Sequence, residues 1–163
     1  MLPVRSDRLV VVGVLNVTPD SFSDGGRYTC VEDAVEHALQ MRAEGADLID
    51  VGGESTRPGA HRVDAAEETR RVLPVIEALA AEHVPLSVDT YRASVAEAAL
   101  AAGACVVNDV SGGLGDADMA RVVRAAGCPW ILMHWRGHRA SMQQPAHYDD
   151  VVGEVHRFLT DRL

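Results

Sequence analysis

Gly45-Ala-Asp-Leu-Ile-Asp-Val51 and Gly103-Ala-Cys-Val-Val-Asn-Asp109 are two copies of one short pattern. Each begins with a glycine where a helical pattern stops, continues as an apolar run and ends on polar side chains. A glycine at that point suits a left-handed residue closing a helix, and Gly127 reads the same way. Outward from these copies, apolar runs at 9–15, 47–51, 85–88, 105–109 and 129–133 alternate with helical patterns. The helices are expected at 31–44, 64–82, 91–102, 116–126 and from about 149. Alternating β and α units of this kind imply a parallel sheet.

Local signals sharpen the helices. Val31, Ala34, Val35, Ala38, Leu39 and Arg42 follow helical spacing. Asp64 can cap the second helix, with Glu67 completing a capping box. Pro74 should kink or split that helix.

Five βα units fit two α/β architectures, an open doubly wound sheet or part of a (β/α)8 TIM barrel. Strand ends favour the barrel. Asn16, Asp50, Asp89, Asn108 and His134 each follow a different strand. An open sheet brings only a few strand ends to its switch point, whereas a barrel turns all of them to one mouth. A whole barrel usually needs about 250 residues. The 163 residues end at Leu163 inside an apparent amphipathic helix (Val151, Val155, Phe158, Leu159) with no Gly or Pro stop. The expectation is one domain over 1–163, a barrel truncated to about five βα units.

Composition narrows the partners. A 47% hydrophobic content supports a full core, and 4% aromatics leave it to small, β-branched and Leu residues. The net charge of −9 disfavours nucleic-acid binding. It also means that any anion must be held locally by Arg, backbone N–H groups or a metal. No run is long enough to span a membrane, and no signal peptide is expected, since no basic n-region followed by an apolar h-region is seen. Cys30, Cys105 and Cys128 form no Cys-x-x-Cys, so a reduced, cytoplasmic setting is expected.

Two long polar loops follow the first two strands, within Gly13-Val-Leu-Asn-Val-Thr-Pro-Asp-Ser-Phe-Ser-Asp-Gly-Gly26 and Asp50-Val-Gly-Gly-Glu-Ser-Thr-Arg-Pro-Gly59. Loops of such length in a compact domain are usually functional or disordered. No Gly-x-Ser-x-Gly elbow is present, so covalent catalysis is not indicated. His134 and His138 have a His-x3-His spacing without nearby partners, which reads as structure rather than zinc. Asn16 offers an amide oxygen suited to Mg2+ beside substrate phosphates, and equally suits an Asx turn. In 52–59, Gly52 and Gly53 permit close backbone approach, while Thr56 and Arg57 suit an anion. Asp89 and Asn108 end consecutive strands and together suit the amino-amidine edge of a heterocycle. Asp89 also suits the cap of a helix starting at Tyr91.

Those two loop segments resemble the signature segments of the dihydropteroate synthase family. Ser87-Val-Asp-Thr90, Asn108-Asp-Val-Ser-Gly-Gly113 and Met133-His-Trp-Arg136 are similar to further family segments, in order and in spacing. The resemblance implies a pterin-binding TIM barrel of folate biosynthesis, a transferase. Its reaction joins 4-aminobenzoate to 6-hydroxymethyl-7,8-dihydropterin diphosphate and releases diphosphate and dihydropteroate. It further implies that Asn16 binds Mg2+ on the diphosphate, that Thr56 contacts diphosphate, and that Arg57 and Pro58 belong to the aminobenzoate side. Phe22 would cover the aminobenzoate, with Asp24 ordering the closed loop. Asp24 and Arg57 are thus the catalytic candidates, and Asp89 and Asn108 the pterin-edge pair. Sulfonamides would compete in the aminobenzoate pocket, and a full-length protein would be a homodimer.

The chain departs from the family in lacking the later segments that carry an Asp, a pterin-contacting Lys and an Arg-x-His. Two other functions compete. One is another pterin-binding barrel of the methyltetrahydrofolate methyltransferase type, against which the two loop segments count. The other is a partial barrel that binds without turnover.

Overall fold

The computed structural model describes residues 8–18, 27–54, 63–135 and 147–163, with the side chains of 27–30 left aside. Five strands, β1 (Val12–Asn16), β2 (Leu48–Gly52), β3 (Leu86–Asp89), β4 (Val106–Asp109) and β5 (Trp130–Leu132), alternate with five helices. The helices are α1 (Arg27–Ala43), α2 (Ala65–Ala81), α3 (Ala93–Ala102), α4 (Met119–Ala126) and α5 (Val151–Thr160). All strand pairs are parallel, and the sheet order is β1-β2-β3-β4-β5. A sequential order has no switch point. Right-handed crossovers then put successive helices on one side of the sheet, and α1 to α4 do pack each against the next. This is the wall of a β/α barrel, not a doubly wound sheet.

Strand alternation sorts the side chains. Leu15, Ile49, Val51, Leu86, Val88 and Val107 join Ala34, Ala38, Val72, Val75, Ile76, Leu79, Val95, Ala96 and Met119 in one core between sheet and helices. Ala34, Ala38, Ala96 and Ala99 are fully buried, so small side chains let these helices lie close to the sheet. Leu48 and Val106 are also fully buried but lie outside that core, on the opposite face. That second face carries Asp50, Ser87, Asp89 and Asn108, because paired residues in the register share a face.

Several local expectations are refined. Asp64 caps α2, its carboxylate accepting the Glu67 N–H at 2.8 Å. Glu67 does not complete the box in return: its carboxylate meets Arg70 at 2.6 Å and Arg71 at 2.7 Å. Pro74 does not split α2, which runs unbroken through it. Helix α4 begins later than expected because Asp116 is used elsewhere: it accepts the N–H groups of Asp118 at 3.0 Å and Ala93 at 2.9 Å. Helix α5 closes at Thr160 with Asp161 as its C-cap, so Leu163 lies beyond the helix, and none of its residues is fully buried.

Candidate active site

The carboxyl ends of β1 to β4 form a row. In register, Asn16 lies beside Gly52, Gly52 beside Asp89, and Asp89 beside Asn108. Three side chains capable of polar recognition therefore stand on the inner face, separated by a glycine. Gly52 keeps its neighbours close: a Cβ there would be in van der Waals contact with Asp89 Oδ2 at 3.5 Å and Asn16 Oδ1 at 3.6 Å. Two side-chain oxygens thus flank the Gly52 position, one from each neighbouring strand.

A second row lies two residues back, with Val14 beside Asp50 and Asp50 beside Ser87. Asp50 is buried and supports the first row from below. Its Oδ1 accepts the Ser87 hydroxyl at 2.5 Å, and its Oδ2 accepts Asn108 Nδ2 at 2.8 Å. With one Nδ2–H committed to Asp50, the Asn108 amide keeps a carbonyl oxygen and a second N–H as further hydrogen-bonding groups. Burial pushes the Asp50 carboxyl above its ordinary range, and the bonds from Ser87 and Asn108 oppose this only partly. The sequence alone gives Asp50 and Ser87 no role beyond their place near the strand ends. A lone carboxylate inside Leu48-Ile-Asp-Val-Gly52 was the available signal, since a buried charge needs partners.

The capping alternative for Asp89 fails. Helix α3 begins at Ala93, and its first N–H groups are met by others: Thr90 Oγ1 takes that of Arg92 at 3.1 Å, and Asp116 that of Ala93. Asp89 therefore does not cap α3, and its carboxylate lies on the inner face next to Asn108.

A third group of polar residues anchors the chain just after β2. Gly53 lies against α2, where a Cβ would be 2.9 Å from Val72 Cγ1 and 3.1 Å from the Glu68 carbonyl oxygen. Arg71 donates to the Gly53 carbonyl at 3.0 Å. Glu68, buried among the apolar residues of α2, pairs with Arg92, which also donates to Glu54 at 3.0 Å. Burial raises the Glu68 carboxyl above its usual range, against the lowering effect of the Thr90 hydroxyl and Arg92.

Phe22, Asp24, Thr56, Arg57, Pro58 and His138 lie outside the described residues. His134 is described. Its ring packs edge-on to Phe158 with centroids 4.8 Å apart and tilts against Tyr148 at 6.1 Å, as a structural histidine does. Among the described residues no group of three or more His, Cys, Asp or Glu side chains is arranged to hold a metal ion. Cys105 and Cys128 are partly buried, and burial raises the Cys128 thiol above its ordinary value.

A family model described as pterin binding enzyme matches residues 12–163. The chain belongs to the pterin-binding enzymes. Among relatives of this family, the dihydropteroate synthase of Mycobacterium leprae is 58% identical over 146 residues, which are 89% of this chain and 51% of that protein. A solved structure of the Xanthomonas albilineans dihydropteroate synthase with 4-aminobenzoic acid superposes with a TM-score of 0.85 at 53% identity, over 96% of this chain and 55% of the other. The Yersinia pestis enzyme, solved with a sulfonamide drug complex, gives a TM-score of 0.86 at 44% identity, over 98% and 58%. The chain thus spans about half the length of the family members it matches.

Proposed function

We propose that this chain acts as a dihydropteroate synthase, joining 4-aminobenzoate to 6-hydroxymethyl-7,8-dihydropterin diphosphate with release of diphosphate. The observation that carries the reading is the row Asn16, Gly52, Asp89 and Asn108 at one end of a parallel sheet, stiffened from beneath by Asp50 and Ser87. Asp89 accepts the paired N–H groups of the pterin, and Asn108 meets the adjoining edge with its free amide positions. Residues 1–163 act as one pterin-binding domain.

The reaction suits a site without a nucleophile. The arylamine nitrogen forms a bond to the pterin methylene carbon, the carbon–oxygen bond to diphosphate breaks, and the nitrogen loses a proton. What the protein must supply is orientation, exclusion of water and charge at the leaving group. Asn16 Oδ1, a hard oxygen beside Gly52 at the end of β1, fits a Mg2+ ligand that shares its shell with phosphate oxygens. Mg2+ held there would neutralise charge on the departing diphosphate. Thr56 binds diphosphate, Arg57 and Pro58 line the aminobenzoate side, and Phe22 and Asp24 close over it, with sulfonamides competing for the same place. A cytoplasmic homodimer is the form proposed for the enzyme. None of the helices in the described residues is long and apolar enough to cross a membrane.

Dihydropteroate formation, followed with both substrates and Mg2+, tests the reading, with Asp89→Ala as the decisive variant. Losing two charge-assisted bonds, at about 1.5 kcal/mol or more each, should weaken pterin diphosphate binding about 100-fold. Unchanged affinity would sink the pterin-edge assignment. Asn16→Ala should lose most of its Mg2+ dependence while keeping its fold, and full Mg2+ dependence in that variant would remove Asn16 from the metal site.

A further inference from the structure

Asp109 ends β4 one residue after Asn108, so its side chain leaves the sheet on the face opposite the recognition row. It is fully buried, a costly place for a carboxylate unless its oxygens are occupied. The chain that follows occupies them. Oδ1 accepts the Ser111 N–H at 2.8 Å and the Ser111 hydroxyl at 2.6 Å, and Oδ2 accepts the Gly113 N–H at 2.9 Å. The Ser111 hydroxyl oxygen in turn accepts the Gly115 N–H at 2.8 Å. Residues 111–115 are thus tied back to one carboxylate, directly or through one hydroxyl.

Gathered in this way, the loop lies against both neighbouring strand ends. Gly112 has φ of 60°, and a Cβ on it would come 2.6 Å from the Met133 carbonyl oxygen, just past β5. A Cβ on Gly115 would come 2.9 Å from Tyr91 Cβ, in the turn after β3. Asp116 then takes the Ala93 N–H at the start of α3. The backbone of Asn108 is held between these contacts, and its carbonyl accepts the Thr90 N–H at 3.0 Å. Asp50 orients the Asn108 amide on the inner face. Asp109 fixes, from the other face, the backbone that carries that amide.

We propose that Asp109 is a positioning residue for pterin recognition: by gathering the loop after β4 it holds the end of that strand between β3 and β5, and so sets where Asn108 stands relative to Asp89. This rests on the reading of the row as the pterin site of a dihydropteroate synthase. Asp109 is directed away from the row, so it acts only through Asn108. Its effect should therefore vanish once the Asn108 amide is gone.

The test is a double-mutant cycle in the intact protein, read as pterin diphosphate affinity by calorimetric titration. Asp109→Asn keeps the side-chain shape but replaces one carboxylate oxygen with an NH2 group, which opposes a donor that the oxygen accepted. It should weaken binding about tenfold in the parent, as one lost oriented bond would. In an Asn108→Ala background the same change should cost less than about twofold. Equal losses in both backgrounds would make Asp109 a general support of the fold and overturn the proposal, as would no loss in the parent. Ser111→Ala leaves the carboxylate in place and removes only the hydroxyl relay. It should follow the same pattern at about threefold, and it decides the matter if Asp109→Asn does not fold. A second readout needs no ligand. The Thr90 N–H, bonded to the Asn108 carbonyl, should exchange its hydrogen about tenfold faster in both variants. The Ile49 N–H, bonded to the Pro85 carbonyl one strand away, should keep its parent rate. Unchanged exchange at Thr90 overturns the positioning role. A parent protein that binds no pterin diphosphate would sink the synthase reading instead, and exchange at Thr90 then decides alone whether Asp109 holds the Asn108 backbone.

Discussion

Asp50 and Glu68 are both buried carboxylates, and burial raises both above their ordinary range. They are satisfied in opposite ways. Asp50, on the inner face, is met by neutral donors, the Ser87 hydroxyl and the Asn108 amide. Glu68, on the helix side, is met by the Arg92 guanidinium. Neutral donors leave a buried charge incompletely compensated but fix the orientation of the groups that donate. A cation compensates the charge and ties chain segments together. The first arrangement serves recognition at the strand ends, and the second serves the placement of backbone behind them.

The largest effect should come from breaking the second arrangement. Glu68→Ala removes a fully desolvated partner from Arg92, and losing one member of a buried pair costs about 3 kcal/mol or more. Glu54 still faces Arg92, so the lower end of that range is expected. Denaturant unfolding would measure it. Pterin affinity should barely change, because Glu68 contributes nothing to the inner row.

Asp50→Ala should be milder for the fold and harsher for the site. It strands the Ser87 hydroxyl and one Asn108 N–H, at about 1–3 kcal/mol. It also frees the Asn108 amide to rotate, so pterin diphosphate should bind about tenfold more weakly, an estimate of one lost oriented bond. Calorimetric titration beside the unfolding curve separates the two effects. The contrast breaks if Glu68→Ala weakens pterin binding more than Asp50→Ala does.

The same contrast explains what could be read in the sequence. The five βα units were legible because each strand is a short apolar run and three of the helices stop at a glycine, Gly45, Gly103 or Gly127, and the structure has all five. Sequential strand order was legible only through the polar residue at each strand end, since apolar runs say nothing about neighbours. The starts of α3 and α4 were not legible. Asp116 caps Ala93 from 23 positions away, a partnership no local window contains. The Asp89–Asn108 pairing was legible because neighbouring strands share a register. Asp50 was visible as a strand end but not as a support, because its role depends on the face it shares with Ser87. Glu68 sits on the apolar stripe of α2 with Val72, Val75 and Leu79 and marks the buried ion pair. Nothing in its spacing says that the cation comes from Arg92.

The smallest expected effect concerns pH. A carboxyl raised by folding holds its proton more tightly in the native than in the unfolded chain. Between the ordinary carboxylate value, about 4, and the raised native value, the native state binds more protons, so stability must fall as pH rises. Asp50 and Glu68 both contribute in this direction. Glu67 works oppositely: Arg70 and Arg71 hold it at about 2, so its share is present above the ordinary range and lost as pH falls. Its share should be small and salt-sensitive, because the group is partly exposed. Asp50→Asn and Glu68→Gln should each remove a downward slope from the stability curve, measured as parent minus variant by denaturant unfolding across about pH 4 to 8. Saturating pterin diphosphate should alter only the Asp50 difference, since Asp50 holds Asn108 and Glu68 holds no group of the inner row. A ligand effect confined to the Glu68 difference would reverse the assignment of recognition and anchoring between the two carboxylates.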